Sequence, residues 1–248
     1  MAVKGMKFDE CCVGKTISHL AEPGPDNPFG CLLHPKVLPS LKILADAAKS
    51  QGFELKVYSG FRSFDTQMTI WNRKAAGARV ILDANEEPIP YDSLSGWELA
   101  QAILRWSALP GASRHHWGTD VDIIDASACS EDYSVQLTQK EAAKDGIFGN
   151  FHQWLTHWLS ENPECGFYKP YTKPVFANDP QFGIAPEPWH LSFAPAAQRF
   201  EEHFDLSYLY RLIEVSDILL KDTILEHLSE IYERFIRVGS MPNQVAHH

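Results

Sequence analysis

The segment Ser113-Arg-His-His-Trp-Gly-Thr-Asp-Val-Asp122 decides the fold, because it places nitrogen and carboxylate side chains in a short turn that leads into a strand. Gly118 allows the chain to turn where other residues would be strained. Polar and apolar residues alternate from Thr119 to Ile123, which is typical of a strand with one buried face. The segment therefore predicts a turn followed by a strand.

The alternation also predicts which side chains share a face of that strand. If its apolar residues pack into the core, Asp120 and Asp122 lie together on the opposite face. His115 and His116, in the preceding turn, can reach back to the same face. Two histidines and two aspartates are thus candidates for two metal-ligand positions. The residues alone do not decide between His115 and His116 or between Asp120 and Asp122.

A second segment, Glu187-Pro-Trp-His190, contains a further carboxylate and a further histidine. A catalytic zinc usually has three protein ligands and an open position for water, so a third ligand is expected away from the first segment. Pro186 and Pro188 disfavour a helix here. The arrangement therefore differs from the helical motif of many zinc proteases. We expect His190 to be the third ligand and Glu187 to be the general base.

These two segments together resemble a known family motif, Ser-x-His-x-x-Gly-x-x-x-Asp followed at a distance by Glu-x-x-His. The family is that of VanY-like zinc metallopeptidases, which includes D-alanyl-D-alanine carboxypeptidases and dipeptidases of the vancomycin-resistance type and several phage endolysins. The segment Tyr58-Ser-Gly-Phe-Arg-Ser63, with Gln67 four residues later, is similar to the family's Ser-Gly-Tyr-Arg-Ser…Gln segment. The three segments follow the family order and span most of residues 35–195. Asp120 departs from the pattern, because the family often has alanine there.

The resemblance implies a fold and a set of site residues. It implies an α+β fold, shared with the Hedgehog signalling domain, in which an antiparallel sheet carries a zinc site and helices surround it. Zinc, the expected cofactor, would be held by His115, Asp122 and His190, with Glu187 and Arg62 as the catalytic residues. The resemblance also implies substrate contacts in the matching segments, at Gln67, Ser113 and Ser59. The alternative for Gln67 is a solvated helix residue.

The implied reaction is zinc-dependent hydrolysis of a peptide bond that involves a D-amino acid. The expected partner is a peptidoglycan stem peptide or a muropeptide fragment. A first alternative is a non-catalytic zinc-binding module of the Hedgehog-like fold, which binds a partner through its groove. A second is a metal-dependent amidohydrolase that acts on a substrate other than peptidoglycan. The presence of both Glu187 and Arg62 favours an enzyme over the binding module.

Composition narrows the class of protein further. The chain has 248 residues, 44% of them hydrophobic, and a net charge of −10. Such a charge disfavours a nucleic-acid partner, which would need a basic face. We find no apolar run of about 18 residues that could span a membrane. The first residues lack the apolar stretch of a secretory signal peptide. A cytoplasmic protein is therefore expected from the chain as written, and a periplasmic or cell-wall-facing one if a leader was removed.

The five cysteines are odd in number and lack a Cys-x-x-Cys spacing, which disfavours a disulfide framework. Neighbouring histidines at 152 and 157 are five residues apart and so do not share a helix face, which favours a core or surface role over metal binding.

Periodicity predicts the remaining elements. Apolar spacing predicts a helix over 37–50, and alternation predicts a strand over 53–58. Ser63 is expected to cap a helix that runs to Gly77. A short hairpin is expected within 79–91. Capping boxes are expected at Ser95 with Glu98, for a helix that reaches about Leu109, and at Thr138 with Glu141.

We predict two regions along the chain. Residues 1–204 would form the zinc peptidase domain. Residues 205–248 would form a helical C-terminal extension, because apolar residues recur there at spacings of three to five. This extension is expected to pack on the same domain, with a dimer face as the alternative.

Overall fold

The protein is described by a computed structural model over residues 8–130, 132–172 and 183–237. Its strands are β1 (Leu55–Ser59), β2 (Ile81–Leu82), β3 (Pro88–Ile89), β4 (Asp120–Asp125), β5 (Phe167–Tyr168) and β6 (His190–Phe193). Its α-helices from residue 38 onward are α1 (Leu38–Ser50), α2 (Phe64–Ala75), α3 (Gly96–Leu104), α4 (Gln139–Ala142), α5 (Gly149–Glu161), α6 (Ala194–His203), α7 (Leu206–Val215), α8 (Lys221–Glu226) and α9 (Leu228–Ile231). This is an α+β architecture, as the sequence predicts.

An antiparallel sheet in the order β1-β4-β6-β5 lies at the centre of the molecule. Val121 and Ile123 of β4 pack into a core that helices α1 and α5 cover, which confirms the predicted buried face of the strand. The pairing of β4 with β6 sets Asp122 directly opposite His190. The two sequence segments that carry the predicted ligands are therefore adjacent strands of one sheet.

Helix α2 begins as predicted, because the Ser63 side chain accepts a hydrogen bond from Thr66 N. The predicted capping box at Thr138 and Glu141 also forms at the start of α4. The box predicted at Ser95 and Glu98 is wrong. The Glu98 N–H that it would use donates instead to the Ser95 carbonyl oxygen, so the Ser95 side chain makes no capping bond.

Other predicted elements differ in length or detail. Helix α3 ends at Leu104, five residues earlier than expected. The hairpin expected within 79–91 is the pair β2 and β3. Gly146 lies in the turn between α4 and α5.

The helices after β6 pack against the first half of the chain. Leu209 and Ile213 of α7 are fully buried in one core cluster with Trp71 of α2 and Ile103 of α3. Residues 238–248 of the predicted extension lie outside the described residues, and the division of the chain at 204 stays a prediction. Every helix in the described ranges is too short or too polar to cross a bilayer.

His152 and His157 have the core and surface positions that the sequence favours. His152 is buried beside the Phe151 ring, and His157 is exposed and paired with Glu161, 3.3 Å away. The five cysteines are not joined in disulfide bonds.

Candidate metal centre and active site

The turn before β4 is a 3-10 helix, Arg114–Trp117, that ends at Gly118. Gly118 has a φ of +67°, and a Cβ atom there would lie 2.4 Å from a Leu20 methyl carbon. Both the conformation and the space thus require glycine, as the sequence predicts. The turn directs the rings of His115 and His116 to different sides.

His115 has one ring nitrogen committed to the backbone and one that is free. Its Nδ1 lies 2.9 Å from the carbonyl oxygen of Gly60, an acceptor, so Nδ1 carries the proton. Its Nε2 then presents a lone pair, 3.3 Å from Oδ2 of Asp122. A carbonyl that fixes the tautomer in this way is the usual outer partner of a metal-binding histidine.

His190 also has one ring nitrogen that donates a hydrogen bond and one that is available to a metal, but here Nε2 is the donor and Nδ1 is the available nitrogen. Its Nε2 lies 3.0 Å from Oδ1 of Asp120 and donates to that carboxylate. Its Nδ1 faces Oδ1 of Asp122 at 3.2 Å and Oε2 of Glu187 at 3.3 Å. His190 therefore presents its free lone pair on the side of the ring where Asp122 and Glu187 lie.

Ligand atoms of His115, Asp122 and His190 all lie within 4.8 Å of one another. His190 Nδ1 and Asp122 Oδ1 are buried and have no hydrogen-bond partner in the described structure. Unpaired buried polar atoms are unfavourable, and a cation placed among them would satisfy both. Two neutral imidazoles and one carboxylate form a set that suits zinc and similar divalent ions.

The charges around this group favour a cation at the same point. Burial alone would raise the pKa of Asp122, but His115 and His190 outweigh it and hold that pKa well below its usual range. Burial alone would lower the pKa of His190, but the adjacent carboxylates of Asp120, Asp122 and Glu187 raise it well above its usual value. The carboxylates thus attract positive charge to the His190 ring.

His116 has no free nitrogen for a metal. Its Nε2 accepts a hydrogen bond from Gly111 N at 3.0 Å, so its Nδ1 carries the proton and donates to the Arg62 carbonyl oxygen at 2.6 Å. Burial lowers the pKa of His116 to about 3, which keeps the ring neutral. His116 therefore braces the backbone of Arg62.

Asp120 is also occupied, in a buried network next to His190. One of its oxygens accepts from Arg114 Nε at 2.8 Å, and the other accepts from the Thr119 hydroxyl at 2.7 Å. Arg114 is itself buried and also bonds Glu201 and Ser192. Of the two aspartates, Asp122 is the one that belongs to the group of possible metal ligands.

Arg62 lies after β1, where the sequence places it, and its guanidinium is held from behind. Nη1 donates to Gln67 Oε1 at 2.9 Å, and Nη2 donates to Ser59 Oγ at 3.1 Å. Burial lowers the pKa of Arg62, whereas Asp122 and Glu187 favour its charged form. Arginine retains its charge in such a setting, because its ordinary pKa is above 12.

A cavity of about 550 Å³ opens in front of the possible metal ligands. Arg62, Ser113 and Glu187 are among its lining residues. Gln67 and Ser59 instead contact Arg62, and their direct contact with a substrate stays a prediction. The alternative of a solvated Gln67 is wrong, because its side chain is fully buried and also donates to the Ala108 carbonyl oxygen at 2.7 Å.

Several other residues around this cavity have no role in the predictions from sequence. Arg114 precedes a predicted ligand but was given no role, and its partner Glu201 is distant in sequence. Tyr171 lines the cavity, and its ring lies at an angle to that of His190 with the centroids 5.0 Å apart. Lys74 also lines it. Its spacing of seven residues from Gln67, two helical turns, is the signal that could have found it.

Comparisons with known proteins agree on one family. A family profile described as VanY, D-alanyl-D-alanine carboxypeptidase, matches residues 30–196. An uncharacterized protein of Haemophilus influenzae is 33% identical over 129 residues, which are 52% of this chain and 92% of that protein. A D-alanyl-D-alanine carboxypeptidase of Enterococcus faecalis is 27% identical over 162 residues, which are 64% of this chain and 47% of that protein.

Two solved structures are also similar. The vancomycin-resistance D,D-pentapeptidase VanY in complex with Zn(II) is 22% identical, with a TM-score of 0.46, over 77% of this chain and 93% of that one. The D,D-dipeptidase VanXYg in complex with a D-Ala-D-Ala phosphinate analogue is 21% identical, with a TM-score of 0.44, over 79% of this chain and 64% of that one. The profile match covers more than half of the sequence, and the chain belongs to the VanY family of D-alanyl-D-alanine carboxypeptidases.

Proposed function

We propose that this protein is a zinc-dependent peptidase that hydrolyses a bond involving a D-amino acid in peptidoglycan stem peptides or their fragments. The observation that carries the proposal is the convergence of three ligand atoms beside Glu187, at the wall of a cavity that Arg62 also lines. The names of the relatives support the substrate class. A non-catalytic binding module would not require the carboxylate of Glu187 and the buried guanidinium of Arg62 beside the same metal ligands, whereas a hydrolase would.

His115, Asp122 and His190 would hold the zinc. Zinc bound there would supply Lewis acidity and lower the pKa of a water molecule to about 7. The two histidines are held by outer contacts, His115 by Gly60 and His190 by Asp120, so their rings are oriented before the substrate arrives.

Glu187 would act as the general base. Its carboxylate oxygen lies 3.3 Å from His190 Nδ1 and faces the cavity, where it can accept a proton from the attacking water. The same oxygen can then return that proton to the leaving amine as the carbon–nitrogen bond breaks. The backbone N–H of Glu187 donates to the Tyr171 carbonyl oxygen at 3.0 Å, which fixes the segment that carries the base.

Arg62 would stabilise the negative charge that develops on the carbonyl oxygen. A guanidinium has five N–H donors. Gln67 and Ser59 use one each, and the Arg62 side chain also lines the cavity, so it would offer further donors to a ligand there. A donor group that is positioned in advance stabilises a developing oxyanion without further reorganisation.

Digestion of purified muropeptides by the zinc-loaded protein tests the proposal, with the product masses as the readout. We expect loss of a C-terminal D-amino acid or cleavage next to one, and no such product from His115→Ala. The exposed His157→Ala variant is the matched control and should retain activity. Intact muropeptides after incubation with the folded, zinc-loaded protein would contradict the proposal. Cleavage of a non-peptide amide alone would favour the amidohydrolase alternative.

A further inference from the structure

Lys74, near the end of α2, is a buried cation that forms no ion pair with a carboxylate of the described residues. The residue is 7% exposed, and its side chain lines the same cavity as Arg62 and Glu187. Its Nζ donates to the hydroxyl of Ser107 at 2.8 Å. In the part of the chain that the structure describes, it forms no ion pair with a carboxylate.

Folding alone does not account for this lysine. A buried charge is unfavourable unless a partner of opposite charge compensates it, and a hydroxyl compensates only in part. Burial and, to a smaller extent, the charge of Arg79 lower the pKa of Lys74 to about 8, while Glu187 opposes the change. The ammonium thus keeps its proton at neutral pH. A methionine would fill a similar volume without the cost of a buried charge.

The neighbouring charges make this end of the cavity positive. Arg79 lines the cavity on the solvent side, and Arg62 lines it on the side of the possible metal ligands. Glu86 also lines it, but its carboxylate accepts hydrogen bonds from the backbone nitrogens of Gln139 and Lys140. Glu187 is the proposed general base, so its carboxylate does not neutralise Lys74 and Arg79. These two cations can therefore bind a negatively charged group of a ligand.

Helix α2 sets the distance between the positive end of the cavity, at Lys74, and the end with the possible metal ligands, at Arg62. Gln67, Ile70 and Lys74 follow one another at spacings of three and four, so they share one face of α2. Gln67 holds Arg62, whereas Ile70 and Lys74 line the cavity. Seven residues of helix are about 10 Å long. An extended peptide spans that distance with about three residues, so a bound peptide could engage both ends.

We propose that Lys74 binds a carboxylate group of the substrate and that the site therefore selects anionic peptides. This inference rests on the proposed hydrolase function and names a recognition residue for it. The carboxylate has two possible sources, the free C-terminus of the peptide and an acidic group on an internal residue. Both present the same chemistry to the ammonium, and Arg79 supports it from the rim of the cavity.

The test uses three peptides with the same scissile bond and the zinc-loaded full chain. One peptide has both carboxylates, one has a C-terminal amide, and one has the internal carboxylate replaced by a carboxamide. We expect Lys74→Met to raise KM for the first peptide about 10-fold to 100-fold, since a hydrogen bond to a charged group is lost. The same variant should leave KM unchanged for whichever peptide already lacks the recognised carboxylate.

Control variants separate recognition from a structural role. Lys49 lies in the last turn of α1 and is exposed, so Lys49→Met removes a comparable lysine away from the cavity and should change nothing. Lys74→Arg should recover part of the preference for the acidic peptide. Equal effects of Lys74→Met on all three peptides, or none on any, in a folded variant would overturn the inference.

A binding measurement separates this inference from the proposed reaction. In a Glu187→Gln background, calorimetry with the same peptides needs no turnover. Weaker binding of the acidic peptide after Lys74→Met would support the inference even if no peptide were hydrolysed, in which case only the proposed reaction would fail. Absence of peptide binding by the Glu187→Gln parent would overturn the Lys74 inference as well.

Discussion

Oδ1 of Asp120 lies 3.0 Å from Nε2 of His190, on the opposite side of the ring from Asp122. The two aspartates of β4 therefore contact the same histidine through different nitrogens. Only one of those nitrogens is available to a metal, because the other donates to Asp120. This relationship explains how a carboxylate can replace the alanine that is common in the family without adding a ligand.

Asp122→Asn should remove most zinc binding, whereas Asp120→Asn should weaken it by about 10-fold to 100-fold, as expected for an outer partner of a ligand. Asparagine is preferable to alanine at 120, because it keeps a polar partner for the buried Arg114. Zinc affinity is measured by competition with a chromophoric chelator. If Asp120→Asn abolished binding and Asp122→Asn did not, the ligand assignment would have to be reversed.

Glu187→Gln should retain the metal and lose turnover. The amide keeps the shape of the side chain but does not accept a proton from water, so kcat should fall by about 10² to 10⁴. Metal content by atomic emission and the thermal midpoint should match the parent protein. A folded, zinc-loaded variant that keeps full activity would exclude Glu187 as the base.

Arg62→Lys and Arg62→Ala test the role of the guanidinium. Lysine keeps the charge but loses the planar set of donors that Gln67 and Ser59 hold in place. Both variants should lower kcat, with alanine the worse by a few kcal/mol of transition-state stabilisation at most. Steady-state kinetics and thermal unfolding are measured together. A large loss of stability with unchanged kcat would make Arg62 a structural brace.

His116→Ala should destabilise the fold and leave the metal stoichiometry near that of the parent. The substitution leaves the Gly111 N–H and the Arg62 carbonyl oxygen without partners, at a cost of about 1 to 3 kcal/mol for each buried group. Denaturant unfolding and metal analysis are the measurements. Complete loss of zinc from a folded His116→Ala protein would identify His116 as a ligand.

From the lowered pKa of Lys74 we expect the stability of the protein to rise with pH in the alkaline range. Its pKa is lowered from 10.5 to about 8 by burial, so between these values the unfolded chain holds a proton that the folded chain has released. The contribution of this residue to stability therefore rises with pH from about 8 to about 10.5, by at most about 3 kcal/mol. Thermal midpoints across this range should show the rise, and Lys74→Met should remove it. An identical profile for both proteins would contradict the buried-charge interpretation.

The ligand segments could be predicted because their chemistry is local. A glycine turn, an alternating strand and a proline-flanked histidine each restrict the backbone within a few residues. The choice between His115 and His116 could not be made in this way. It depends on Gly60, Gly111 and Arg62, whose backbone atoms come near only after β1 and β4 pair.

The buried charges of Arg114 and Lys74 could not be predicted either, because their partners are distant in the sequence. Arg114 meets Glu201 across 87 positions of sequence, and Lys74 meets Ser107 across 33. Neither pairing follows from a local pattern, although the helical spacing of Lys74 from Gln67 indicates the face of α2 on which Lys74 lies. The capping box expected at Ser95 failed because a backbone carbonyl took the same donor, which a pattern of side chains does not reveal.

Helix α2 holds Gln67 and Lys74 on one face and is anchored on another face by the C-terminal helices. Trp71 Nε1 donates to the Leu219 carbonyl oxygen at 2.9 Å, and Asn72 Nδ2 donates to that of Asp217 at the same distance. Local opening of α2 must therefore break contacts with the region after α7. The amide hydrogens of α2 and α7 should then exchange with solvent as one cooperative unit, so a change in the C-terminal helices can alter substrate capture without touching the cavity.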